Sequence, residues 1–237
     1  MAYCACVASV HIPRLLNETH QVTSPPDHRE IVLEPGALLV DSTIRGGLYL
    51  ERYSGINRSE VIGPAGVGSF GWVSDTKIGA FVHIGARSAV GGFEHPLDRV
   101  TTSSFQWGQN SALLALDSGS LAEIHPMNVK PANPTTIIES DVWIGANVIV
   151  LAGVKLAVGS VVGAGSVLTR DTQPYGVYVG NPARLIRHRF EPDVCEKLLA
   201  AEWWNLPVEF LITLDLTDPL GTAAACMRYR ESSRGPN

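Results

Sequence analysis

The chain has 237 residues, 45% apolar and 17% charged, and its 18 basic and 23 acidic side chains leave a formal charge of −5. That balance excludes a disordered tail, which would be more charged and less apolar. It also excludes a nucleic-acid binder of the basic-patch kind, because the densest basic stretch is the short run from Arg184 to Arg189. The apolar runs are too often broken by Gly and Pro to make a transmembrane span.

Residues 1–30 carry no clear pattern, and the opening MAYCACVASVHIPR lacks the basic n-region of a secretory signal. Four cysteines, Cys4, Cys6, Cys195 and Cys226, sit near the two ends and leave the centre empty. They form neither a pair of pairs spaced for zinc nor a framework through a small core, so no metal is expected and a reducing cytoplasm is the default compartment.

Six residues is the period of the second half. From Ile138 an aliphatic side chain returns at Ile144, Val150, Leu156, Val162 and Leu168. Four places after the first five come Val142, Val148, Val154, Ser160 and Ser166, and small residues follow at Gly145, Ala157 and Gly163. A helix needs 3.6 and a plain strand needs 2, whereas six suits a short strand plus a tight corner. The same phase runs through Ile78, Ile84 and Val90, with Val82 and Ser88 four places later. It extends weakly upstream through Trp72 with Thr76, and through Leu33 and Leu39 with Ala37 and Thr43.

Three such strands per coil close a triangular prism in which residues eighteen apart stack. The expected columns are Ile138 over Leu156, Ile144 over Val162 and Val150 over Leu168, with the aliphatics inward and each coil covering the edge of the last. Periodicity does not set the hand of the coil.

Between Val90 and Ile138 the period stops. The excursion, about residues 92–137, holds His95, Asp98, Trp107 and His125 among aromatics and aliphatics, which predicts a packed functional loop. After Leu168 comes TRDTQPYGVYVGNPARLIRHRF, with a turn at Gly180-Asn181-Pro182 followed by Arg184, Arg187, His188 and Arg189. Residues 191–216 read as a helical segment, with Pro192 near its first turn and Leu198, Leu199, Trp203 and Leu206 on one face; Pro207 ends or kinks it. Residues 217–237 are polar, carry Gly and Pro, and read as a mobile tail.

The runs SDTKIGAFVHIGARSAVGGFEHPLDRVTTSSF, DVWIGANVIVLAGVKLAVGSVVGAGSVLT and GNPARLIR, followed by a Trp-Trp helix, resemble the hexapeptide-repeat acyltransferases. The likeness is to the xenobiotic and polysaccharide O-acetyltransferase branch and covers roughly residues 54–206. It implies an all-β fold, a left-handed parallel β-helix over 31–190 with the long inserted loop and the short C-terminal helical segment. It also implies acetyl-CoA as cosubstrate and a homotrimer with active sites between subunits. By the family's motif the catalytic base falls on His95. Acetyl-CoA contacts fall on Ala146 and Ala164, on Thr169 and Arg170, and on Arg184 and Arg187. Arg170 stands where the family commonly has Lys, keeping the charge but not the geometry.

The residues support part of this on their own. Ala146 and Ala164 are eighteen apart and belong in one outward column, where short side chains leave a groove. Arg184 and Arg187 suit CoA phosphates. Acyl transfer to a hydroxyl needs a base for the acceptor proton, and an imidazole is mostly neutral near pH 7. No cysteine lies in the hexads or the excursion to carry an acyl group. His83 and Trp143 read as structural or boundary residues, and His125 as a surface residue of the excursion. The HPLDRVTTS context favours a sugar or saccharide hydroxyl as acceptor. Antibiotic O-acetylation, amino-sugar N-acetylation and a non-catalytic trimeric scaffold are the alternatives.

Overall fold

The computed structural model describes residues 10–15, 21–23, 30–33, 38–45, 48–50, 54–57, 60–62, 65–66, 72–73, 76–91, 97–98, 100 and 136–233. His95, Glu94 and His125 lie outside the described residues, as do Cys4, Cys6 and most of the excursion.

Short strands wind into a three-walled coil. Its first wall stacks β3 (Glu30–Leu33), β5 (Leu48–Leu50), β10 (Thr76–Ile78), β13 (Thr136–Ile138) and β16 (Lys155–Leu156), all parallel. The second wall stacks the first half of β4 (Leu38–Arg45), β6 (Gly55–Asn57), β11 (His83–Ile84), β14 (Trp143–Ile144), β17 (Val161–Val162) and β19 (Gly176–Gly180). The third takes the second half of β4, then β7 (Glu60–Ile62), β12 (Ala89–Val90), β15 (Ile149–Val150) and β18 (Val167–Leu168).

Register follows the period. Ile138 pairs with Leu156, Ile144 with Val162 and Val150 with Leu168. All six side chains are buried, as are Val142, Val148, Val154, Ser160 and Ser166 four places after the first five. Burying each aliphatic side chain is worth about 1.5–3 kcal/mol, which favours this winding over any slip that would turn the row outward. The excursion does not shift the register: Ile78 pairs with Ile138 and Val90 with Val150 across it. Buried hydroxyls complete the ladder at the bends. Ser88 Oγ donates to the Gly145 carbonyl at 2.9 Å and accepts from the Val148 N–H at 3.2 Å.

Upstream the structure departs from the simple period. Leu33 and Leu39 do pair into the coil, opposite Leu50 and Ile56. Trp72 does not. It belongs to an antiparallel hairpin of β8 (Ala65–Gly66) and β9 (Trp72–Val73). Val61 to Ile78 spans 17 positions where Val150 to Leu156 spans six, and the hairpin takes up the surplus. Within residues 1–30 lie β1 (Val10–Leu15), antiparallel to β4, and β2 (Gln21–Thr23), antiparallel to β3.

At the other end, β19 turns through Asn181-Pro182 into β20 (Ala183–His188), antiparallel to it. The helical stretch divides into α1 (Pro192–Ala201), a 3-10 turn at Trp203–Asn205 and α2 (Val208–Leu211). Glu202, at φ 44°, ends α1. The tail read as mobile is instead largely helical: α3 spans Pro219–Ser233. It buries only the small side chains Thr222, Ala223 and Cys226, so it shows no broad apolar stripe in sequence. Tertiary docking holds it, through Arg230 Nη1 donating to the Ala201 carbonyl at 3.2 Å, Arg230 paired with Glu202 at 2.8 Å, and Phe210 stacked on Tyr229.

Candidate active site along the second corner

Each coil bends at three corners, and their backbones are left-handed in vertical columns. At the first corner, between first and second walls, Phe81, Asp141, Gly159 and Tyr175 all have positive φ. At the second corner, between second and third walls, Arg87, Asn147 and Gly165 do.

The first corner is covered by the C-terminal helices. Phe81 meets Trp203 with ring centroids 5.2 Å apart, and Tyr175 meets Phe190 at 5.6 Å. Arg189 Nη1 donates to Asp141 Oδ2 and to the Gly159 carbonyl, each at 2.8 Å. Burial lifts the Asp141 carboxyl above its ordinary 3.8, with Arg189 and then His83 pulling the other way. Burial also pushes the Tyr175 phenol up to about 12, with the Asp141 charge adding to it. Trp203 docks the helical stretch on the coil through Phe81, and Trp204 packs edge-on against Trp203.

The second corner carries the groove. Ala146 and Ala164 sit in one column, tied where the Gly165 N–H meets the Ala146 carbonyl at 2.9 Å. The column continues to Ala86, since the Asn147 N–H meets the Ala86 carbonyl at 2.9 Å. Sequence reasoning does not single out Ala86, because the excursion sets it sixty residues from Ala146; the signal is the repetition of IGAR at 84–87 as IGAN at 144–147. The glycines beside these alanines have no room for a side chain: a Cβ at Gly145 would lie 2.7 Å from the Ala164 nitrogen. Close coil-to-coil stacking therefore keeps the column shallow.

Arg184 lies at the upper end of this corner, and Arg187 farther back over the second wall. A Cβ on Gly163 would strike Val179 of β19, and Val179 is paired with Arg184. Val177 is paired with Arg187, and the register shifts between Val177 and Tyr178. Residues three apart on a regular strand face opposite sides. Here Val177 and Val179 share a face, so the bulge brings their partners Arg187 and Arg184 to that same face. Both are exposed, and among the described residues neither has a carboxylate partner. Arg189, two residues on, is committed to Asp141.

Thr169 and Arg170 lie at the third corner, past the end of β18, one wall away from Ala164. Thr169 is five positions along the chain from Ala164, a reach of at most about 17–18 Å. The structure thus joins Ala146, Ala164 and Arg184, sets Arg187 on the same face, and leaves Thr169 and Arg170 on the next edge. On the outside of the second wall, Trp143 is 59% exposed and pairs in register with His83, also exposed. Among the described residues no group of His, Cys, Asp or Glu is arranged to hold a metal ion. No described helix is long and apolar enough to cross a membrane.

The coil is a left-handed parallel β-helix. The solved N-acyltransferase AntD from Bacillus cereus, in complex with dTDP and 3-hydroxybutyryl-CoA, is alike in fold, with a TM-score of 0.51 at 19% identity over 77% of this chain and 80% of that one. The family profile described as "Bacterial transferase hexapeptide (six repeats)" matches residues 135–170. A "Probable macrolide acetyltransferase" of Lysinibacillus sphaericus is 34% identical over 130 residues, 54% of this chain and 68% of that protein. The chain belongs to the hexapeptide-repeat acetyltransferase family. A chloramphenicol acetyltransferase of Agrobacterium fabrum is 38% identical over 97 residues, covering 41% of this chain and 46% of that protein. The chain thus spans under half the length of that second relative.

Proposed function

We propose that the protein is an acetyl-CoA-dependent O-acetyltransferase that moves an acetyl group directly to a hydroxyl of a small xenobiotic acceptor, with His95 as general base. The observation that carries this reading is the bulge that turns Arg184 and Arg187 to one face at the head of the alanine column. Two exposed guanidinium groups, each donating to a neighbouring backbone carbonyl and neither paired with a carboxylate among the described residues, suit the phosphates of CoA, and the shallow column of Ala86, Ala146 and Ala164 suits the pantetheine arm below them. Thr169 and Arg170 would meet the carrier from the third corner.

The imidazole of His95 takes the acceptor's hydroxyl proton as the oxygen attacks the thioester carbon. A backbone N–H or a Ser or Thr hydroxyl holds the oxyanion of the tetrahedral intermediate. The intermediate collapses, the C–S bond breaks, and the proton passes from His95 to the CoA sulfur. Neither a metal nor an acyl-enzyme enters this scheme.

Two relatives whose names refer to chloramphenicol and to a macrolide support an antibiotic-type acceptor. They weigh against the saccharide hydroxyl suggested by HPLDRVTTS. The exposed Trp143, and Ile149 at 46% exposure on the third wall, suit a trimer with sites between neighbouring coils in the cytoplasm. Acetyl-CoA turnover against chloramphenicol, macrolides, saccharides and amino sugars tests the reading, with light scattering for the assembly. Turnover of amino sugars alone, or an activity indifferent to loss of His95, would overturn it.

A further inference from the structure

We propose that Arg87, oriented by Asn147, determines acceptor specificity by receiving a carboxylate or phosphate of the acceptor at the lower end of the alanine groove. This rests on the reading of the second corner as the acyl-CoA groove and, among xenobiotic acceptors, selects those that carry an acidic group, which chloramphenicol and the macrolides do not.

The starting point is a backbone conformation. Arg87 has φ 60°, in the left-handed region where side chains other than Gly, Asn and Asp are uncommon. The same column holds Asn147 one coil on and Gly165 after it. A Cβ on Gly165 would meet nothing within 4 Å, so packing does not demand a long side chain in this column. At the first corner the comparable residues are absorbed by the fold: Phe81 packs on Trp203, and Asp141 pairs with Arg189. Arg87 is exposed, and its strained position calls for a reason outside packing.

Its side chain is nonetheless fixed. Arg87 Nε donates to Asn147 Oδ1 at 2.8 Å. That bond sets the plane of the guanidinium and, among the described residues, leaves both terminal nitrogens for a ligand. Among the described residues Arg87 has no carboxylate partner, whereas Arg189 and Arg230 each have one. A planar fork held at Nε matches the two oxygens of a carboxylate or phosphate.

Position decides whose oxyanion it is. Arg87 follows Ala86, the lowest described member of the alanine column, two coils below the coil of Ala164. Coils are about 4.8 Å apart, which puts it roughly 10 Å down the corner from Gly165 and farther from Arg184. The carrier's phosphates are taken up at the upper end. The excursion bearing His95 departs from Arg87's own coil, just past Val90. Arg87 therefore belongs to the acceptor's end of the groove.

The test uses the full chain and the variants Arg87→Ala and Arg87→Lys. In calorimetry, CoA and 3′-dephospho-CoA should each bind the wild type and the Ala variant alike, within about twofold. The Arg87 Nε–H signal in nitrogen-15 NMR of the CoA-loaded protein should shift with glucose 6-phosphate or glucuronate and stay still with glucose. In turnover, the acidic member of a matched acceptor pair should lead by at least tenfold in kcat/KM, the Ala variant should lose that lead, and the Lys variant should keep part of it. If no acidic probe moves the signal, or the lead survives in the Ala variant, the proposal is overturned. A CoA affinity that falls tenfold in the Ala variant only when the 3′-phosphate is present assigns the oxyanion to the carrier and overturns it too. Failure of the wild type to bind CoA at all overturns the groove itself, a separate result.

Discussion

Arg189 Nη1 stands 2.8 Å from Asp141 Oδ2, and the same nitrogen donates to the Gly159 carbonyl. One guanidinium thus ties the end of the strand that follows the Asn181-Pro182 turn to two successive coils at the first corner. That corner is covered by the C-terminal helical stretch.

The Asp141 carboxyl titrates above its ordinary value because burial outweighs the pull of Arg189 and His83. The folded state therefore holds that proton more tightly than the unfolded state. Stability from this group is full below about pH 3.8 and declines as pH rises through the folded value. Asp141→Asn keeps an acceptor for Arg189 and suits the φ of 60°. We expect a flatter profile of Tm against pH above the ordinary carboxylate value for the Asn variant, without loss at pH 7; thermal melts from acid to neutral pH decide it.

Tyr175 gives the opposite end of the scale. Its phenol is pushed to about 12, so the unfolded chain ionises first as pH climbs past 10. Stability from the neutral phenol is present below about pH 10 and is lost between 10 and 12, on the order of 1–2 kcal/mol after allowance for solvent screening. Tyr175→Phe should lower the drop in Tm from pH 8 to pH 11. An equal drop in both proteins would refute the assignment.

Gly145 and Gly165 separate steric from conformational cost. An alanine at 145 meets the Ala164 backbone at 2.7 Å, so Gly145→Ala must push coils apart, at about 1–3 kcal/mol. Gly165→Ala meets nothing and pays only for its φ of 72°, about 1–2 kcal/mol. The 145 variant should also weaken CoA binding, because the alanine column moves with it, whereas the 165 variant should leave affinity unchanged. Denaturant melts and calorimetry measure both.

For the chemistry, His95→Ala is expected to lower kcat by about 10²–10⁴-fold while CoA binds as before. Arg187→Ala should chiefly raise KM for acetyl-CoA, by about tenfold or more, as befits a lost hydrogen bond to a charged group. Steady-state kinetics with acetyl-CoA varied at fixed acceptor separates the two effects.

The sequence alone determined the winding. Six aliphatic returns from Ile138 to Leu168 can all be buried only if the chain bends every sixth residue, and the columns they imply match the observed pairs. It also put Trp203 and Leu206 on one helical face; Trp203 does pack on Phe81 and Leu206 is buried, although the helix breaks at Glu202 before either is reached. What it left open depends on partners distant in the chain. The upstream Trp72 left the phase because a hairpin fills the corner, and a period cannot register an insertion that returns in register. The helix of Pro219–Ser233 hides because it buries small side chains against α1 and not an apolar stripe of its own. Arg184 and Arg187 share a face only through a bulge set by pairing with β19, and Ala86 joins Ala146 only across the excursion. Local periodicity fixes what each residue wants to bury. The tertiary structure decides which exposed groups face the same solvent.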